Sequence, residues 1–180
     1  PVNLRRQLES LIRAEIDHAR AGRGGYIAIK VNALTDPRMI NLFSEASNAG
    51  VRIDLIVRGM CCLVPGVTGM SENIRVVSIL GRFLEHSRVF YFANGGKERL
   101  FIGSADLMTR NLDHRVETLF PIEEPAQIRY LRDVLLETCL RDNDSARDMT
   151  SDGEYMRLKP IGDQPRLNGQ QFLMNTRSDR

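Results

Sequence analysis

Hydrophobic residues recur at helical spacing along the first part of the chain. Leu4, Leu8, Leu11, Ile12, Ile16 and Ala19 fall on one stripe, with Asn3 placed to cap the start and Gly22 to stop the end. The spacing predicts an amphipathic helix over 3–21. The glycine-rich 22–25 lacks the remainder of a phosphate loop and reads as a connector. The period then changes. "YIAIKV" at 26–31 is a short, continuous apolar run, the mark of a buried strand. "TDPRMINLFSEASNAG" opens a helix with Asp36 as cap and Pro37 in the first turn, and closes it at Gly50. "RIDLIV" at 52–57 is the next strand. A right-handed crossover sets two such strands parallel, and ligands of such sheets collect beyond the carboxyl ends of the strands. Lys30 and Arg58 stand at or near those two ends.

A loop rich in Gly and Pro follows over 59–73, then a strand "IRVVSI" at 74–79. "GRFLEH" at 81–86 has the look of a single helical turn. "RVFYFA" and "RLFIGSA" flank Asn94-Gly95, a hairpin signal. "RVETLFPI" at 115–122 reads as a further strand, and a helix starts near Pro125. From about residue 143 the chain turns polar, and 160–180 has so little periodicity that a loose or extended tail is expected. The fold class expected is α/β, with a mixed, mostly parallel sheet flanked by helices.

Composition narrows the function. The 180 residues suffice for one domain with a proper core, and 42% hydrophobic and 27% charged residues are ordinary for a globular protein. No apolar run is long enough to span a membrane, and no basic-then-apolar leader is visible. Pro1 in place of Met leads to the expectation of a piece of a longer chain. A net charge of +2 is too small to argue for nucleic acid by bulk electrostatics. Cys61, Cys62 and Cys139 have no metal-ligand spacing and are expected to be reduced thiols of a cytosolic protein.

Between 58 and 115 the chain offers Arg58, Arg82, His86, Arg88, Ser104, Arg110, Asn111, His114 and Arg115, mostly at strand ends or in loops. Arginine forks, neutral donors and a histidine are what phosphate recognition needs. A histidine there can act as nucleophile, or as an acid that stabilises charge moving in phosphoryl transfer. The plainer reading is a solvated face on which Glu85, Asp106, Asp113 and Glu117 pair with those arginines. Lys30 reads equally well as a strand residue that snorkels to water. His18 and His114 carry no functional signal. There is no Walker A pattern, kinase glycine loop or Gly-x-Ser-x-Gly elbow.

"HSR" followed by "IGSADLMTRN" resembles a degenerate phospholipase D superfamily motif. Arg88 stands where that motif has Lys, and Gly103, Ser104 and Asn111 resemble its later part. Over a longer range, "KVNALTDPRMINLFSEASNAGVRIDLIVRGMCCLVPGV", "SENIRVVSILGRFLEHSRVFYFANGG" and "GSADLMTRNLDHRVETLFPI" resemble the C-terminal domain of the polyphosphate kinase 1 family. The resemblance runs from residue 4 to about 158. It implies a phospholipase D-like half over 1–158, with a polar tail over 159–180.

It also implies reversible transfer of the terminal phosphate of ATP to inorganic polyphosphate, through a phosphohistidine and with Mg2+. Arg58 matches an ATP-contacting arginine of the family, and His86 its second essential histidine. Lys30, Arg88 and Arg110 are expected to line the path of the polyanion, and Ser104 and Asn111 to shape the site. The phosphorylated histidine, the metal-associated arginines and a base-contacting tyrosine belong to upstream domains of the same polypeptide. The Mg2+ ligands are therefore expected mainly outside this chain, which alone is expected to be inactive. The partners implied are ATP or ADP and polyphosphate, with a cytoplasmic homo-oligomer when intact and no nucleic acid. The alternatives are a phospholipase D-like phosphodiesterase or nuclease formed by dimerisation, and a non-catalytic polyphosphate-binding module.

Overall fold

A strand sends side chains alternately to its two faces, and β1 (Tyr26–Val31) uses both. Ile27, Ile29 and Val31 join one apolar core with α1 (Leu4–Arg20) and α2 (Pro37–Asn48). Ala28 joins a second core on the other face. That core is closed by a helical run made of α3 (Pro125–Arg129), a π-helical stretch (Tyr130–Leu136) and α4 (Glu137–Arg141). The computed structural model describes residues 3–178.

The remaining strands are β2 (Arg52–Val57), β3 (Ile74–Ile79), β4 (Arg88–Phe92), β5 (Arg99–Gly103), β6 (Leu119–Ile122), β7 (Ala146–Met149) and β8 (Tyr155–Arg157). They form an eight-stranded sheet in the order β6-β5-β4-β1-β2-β3-β7-β8. The α/β class, the mixed sheet and the flanking helices are as expected. Parallel pairing is not in the majority: β1 pairs parallel with β2 and β2 with β3, and the other pairings among the described strands are antiparallel. The reason is connection length. Between strands that are neighbours in the sheet, α2 and the long loop 59–73 carry the chain back to the starting edge, as the helical run 125–141 does between the distant β6 and β7; shorter links such as the 3-10 turn Asn94–Gly96 force a reversal.

Local chemistry explains most boundaries. Asp36 caps α2 by accepting from the Met39 N–H at 3.0 Å, with Pro37 in the first turn. Asn3 precedes α1 without a side-chain capping bond. The chain at 81–86 is not helical. Strand β6 starts four residues later than expected, at Leu119. Strands β7 and β8 were not expected from the polar sequence after 143. Nor is the tail loose throughout: Gly169–Ser178 form α5, and Gly169 and Gln170 at its start are buried. Among the described residues no helix is long and apolar enough to cross a membrane.

Candidate phosphate site at the strand-end edge

Strand direction gathers the candidate residues. Strands β1, β2 and β3 end at the same edge, β4 begins there beside β1 (Lys30 faces Val89), and β5 ends there with Gly103 opposite Arg88. Past β1 the chain 32–36 runs extended between two neighbours. Leu34 N–H donates to the Met60 carbonyl at 2.8 Å, and Leu107 N–H donates to the Ala33 carbonyl at 3.0 Å. These bonds satisfy the backbone of the segment from within, and of its side chains Asn32 reaches the Asp106 carboxylate.

His86 is exposed and Arg88 half-buried beside it. Arg88 Nη1 lies 3.1 Å from both Nδ1 and the carbonyl oxygen of His86. A guanidinium only donates, so Nδ1 must accept and the neutral ring carries its proton on Nε2. Arg88 is held in turn by Asp106, through Nε at 3.3 Å and Nη2 at 3.1 Å. Asp106 is buried and also accepts from Asn32, from its backbone N–H at 2.7 Å and its Nδ2 at 3.2 Å. Burial alone would raise the Asp106 carboxyl; the Arg88 guanidinium and the Asn32 donors outweigh it and hold it below the usual range.

The Gly-Ser pair has a steric origin. A Cβ on Gly103 would overlap the Thr118 carbonyl and come within 2.7 Å of Leu119 Cδ2. Close approach of the two strands lets Ser104 Oγ donate to Glu117 Oε2 and accept from the Thr118 N–H at 3.2 Å. Buried Asn111 donates from Nδ2 to Glu117 Oε1 at 2.6 Å. Ser104, Asn111 and Glu117 therefore form one unit.

Arg58 directly follows β2 and is half-buried. Its Nη1 is buried with no hydrogen-bond partner, as are Asn32 Oδ1 and Asn111 Oδ1. An unpaired buried guanidinium nitrogen is costly. Arg58 lines a cavity of about 340 Å³ with Leu80, Arg82, Phe83, Leu84 and Glu85.

Lys30 lies elsewhere. On the same face of β1 as Ala28, it is only 2% exposed, and its Nζ pairs with Glu85 at 2.9 Å. Its charge is committed inside the fold rather than displayed along an open path, as expected for the polyanion. Arg110 is exposed in the π-helical turn Arg110–His114, and no side-chain contact ties it to the others. His18 accepts from Arg23 Nε at 3.0 Å, and His114 is exposed. Cys61, Cys62 and Cys139 are free thiols. Burial pushes Cys61 up to about 11 and Cys139 up to about 12, far from a thiolate nucleophile.

Residues 1–170 match the family described as Polyphosphate kinase C-terminal domain 2. The chain belongs to that family. It is 57% identical to a polyphosphate kinase of Prochlorococcus marinus over 97% of this chain and 24% of the relative. To a polyphosphate kinase of Pseudomonas aeruginosa it is 51% identical over 97% of this chain and 25% of the relative. The crystal structure of polyphosphate kinase from Porphyromonas gingivalis superposes with a TM-score of 0.91 at 41% identity, covering 99% of this chain and 28% of that one. This polyphosphate kinase domain thus spans about a quarter of the length of its curated relatives. NucT from Helicobacter pylori, 15% identical with a TM-score of 0.57 over 78% of this chain and 91% of that one, shares the fold alone.

The chain pairs its charges only partly as the plainer reading held: Arg88 takes Asp106, whereas Glu85 takes Lys30 rather than an arginine. Asp113 instead takes Arg5 of α1 at 2.6 Å, and Glu117 takes neutral partners. Asn32 went unremarked in the sequence. Its signal was its position, the first residue beyond the β1 strand end.

Proposed function

We propose that this domain supplies half of an active site that transfers the terminal phosphate of ATP reversibly to inorganic polyphosphate. The observation that carries the proposal is the Asp106–Arg88–His86 chain, which leaves an Nε2–H on exposed His86 at the sheet edge where Arg58 follows β2 with its Nη1 unpaired. The family membership and the 0.91 TM-score support the same reading.

The chemistry follows from the donors. Phosphoryl transfer spreads charge over oxygens, and positioning plus electrostatic stabilisation do most of the catalysis. Arg58 holds a phosphate oxygen through its free Nη1. His86 donates a hydrogen bond from Nε2 to a phosphoryl oxygen and so stabilises the charge that builds there. With Nδ1 accepting from a guanidinium, His86 is arranged as donor rather than nucleophile. The attacking group therefore comes from the upstream half of the enzyme. This tautomer also counts against a self-paired phosphodiesterase, whose histidine would have to attack phosphorus. Ser104, Asn111 and Glu117 keep the wall of the site in register, and Lys30 holds Glu85. Arg110 is left as a solvent-facing cation within reach of a long polyanion.

Mg2+ would neutralise the phosphate oxygens when bound. The residues here do not fit it: no group of three His, Cys, Asp or Glu side chains converges among the described residues. Replacing His86 by Ala in the intact enzyme tests the proposal. Synthesis is expected to fall by about a hundredfold or more, the range of a lost donor to transition-state charge, with KM for ATP little changed. Near-normal turnover overturns it.

A further inference from the structure

The segment 81–86 is not helical, although its sequence suits a helical turn, and the cause lies at the far end of the chain. Gln170, in the first turn of α5, is 8% exposed. Its Oε1 accepts from the Phe83 N–H at 3.0 Å. Its Nε2 donates to the Phe83 carbonyl at 2.7 Å and to Glu85 Oε1 at 2.8 Å. One primary amide thus takes both backbone groups of Phe83 and one oxygen of the Glu85 carboxylate. The other oxygen of Glu85 accepts from Lys30. Gly81 leaves the room this needs: a Cβ there would overlap Oε1 of Gln170 and reach within 2.7 Å of its Cδ.

Helix α5 is itself tied down at its start. The Gly169 N–H donates to Asp142 Oδ2 at 2.7 Å, and Asp142 is fully buried. The preceding residues are joined to the turn after α4: Leu167 N–H donates to Asn143 Oδ1 at 2.8 Å, and Asn168 Nδ2 donates to Asp144 Oδ2 at 2.9 Å. The contact from Gln170 is thus made by a fixed element, not by a trailing end.

We infer that Gln170 is a positioning residue for His86: the C-terminal helix holds Gly81–Glu85 in the bent, non-helical shape that presents His86 and Arg82 at the phosphate edge. The role requires this side chain. Glu has the length of Gln but cannot donate, and Asn is one methylene short. The inference rests on the role proposed for His86, so its test reads shape and catalysis separately.

Shape is read by hydrogen exchange in this chain. In Gln170→Ala the Phe83 amide is expected to exchange at least about tenfold faster, with the β1 amides unchanged. Gly81→Ala pushes on the same contact from the other side and is expected to do likewise. Combining the two should add little, because the added methyl no longer meets the glutamine. Unchanged exchange at Phe83 in both variants overturns the inference whatever happens to turnover.

Catalysis is read in the intact enzyme. Gln170→Ala and Gln170→Glu are expected to lower kcat about tenfold and to leave KM for ATP within about twofold, as misplacement of a reacting group does. Faster exchange with full turnover, while His86→Ala is inactive, sinks the positioning role alone. Full turnover in His86→Ala as well sinks the function proposed above.

Discussion

Arg88 Nη1 sits 3.1 Å from His86 Nδ1, and only one of the two can donate. The neutral imidazole is therefore expected as the Nε2–H tautomer, which nitrogen-15 NMR of this chain reads directly. Arg88→Ala removes the donor and should leave a mixture of tautomers. A pure Nδ1–H ring in the unaltered chain would exclude the proposed donor role.

Arg58 is expected to act in ground-state nucleotide binding. A lost hydrogen bond to a charged group is worth about 1.5–3 kcal/mol, so Arg58→Ala should weaken ATP use by about 10- to 100-fold in KM. Arg58→Lys should rescue little, because the unpaired atom is one arm of a planar fork. An unchanged dependence on ATP concentration would remove Arg58 from the site.

Lys30 and Glu85 form an ion pair with one partner fully inside. Removing one partner of such a pair is costly, about 3–5 kcal/mol when both are buried. Glu85 keeps some solvent, so Lys30→Met should cost about 3 kcal/mol in urea unfolding. Adding Glu85→Gln should recover part of that loss. Additive losses would show that the pair does not couple.

Acid should weaken the α1–α2 junction only at low pH. Arg5 donates to Asp36 at 2.8 and 2.7 Å and to Asp113 at 2.6 Å. Burial would raise Asp36, but hydrogen bonds from Arg5, Thr109 and the Met39 N–H bring it from 3.8 down to about 2. A depressed folded-state value means stability present above pH 3.8 and lost as pH falls toward 2. The difference corresponds to about 2 kcal/mol. In Asp36→Asn the fall in stability across that window should be shallower; an equally steep acid limb would assign it to other carboxylates.

Gly103→Ala should be among the most disruptive small changes in the chain. The added methyl has no room against Thr118 and Leu119, and forced overpacking costs about 1–3 kcal/mol. Lower thermal stability and faster exchange at the Ser104 and Thr118 amides are expected. Wild-type stability would show that β5 and β6 can separate without loss.

The elements that the sequence announced were those with local causes. The stripe of α1, the Asp36-Pro37 start of α2 and the apolar runs of β1, β2 and β3 each carry their signal within a few residues. The stretch from His86 to Asn111 was singled out by resemblance; in the structure Arg88 pairs opposite Gly103 at the strand ends, and Ser104 and Asn111 share Glu117. Residues with remote partners were not legible. Lys30 looked like a surface cation because Glu85 lies 55 positions away in the chain. The 81–86 segment looked helical because the amide that holds it out of a helix belongs to Gln170, 87 positions from Phe83.

What the sequence determined by itself is periodicity, capping and the inventory of phosphate-seeking side chains, because these depend on near neighbours. Tertiary structure alone decided which charges are spent and which are free. A charge's availability depends on what packs against it, and that is set by strand order. Arg88 is committed to Asp106 and Lys30 to Glu85, while one nitrogen of Arg58 is left without a partner at the edge where the central strands end.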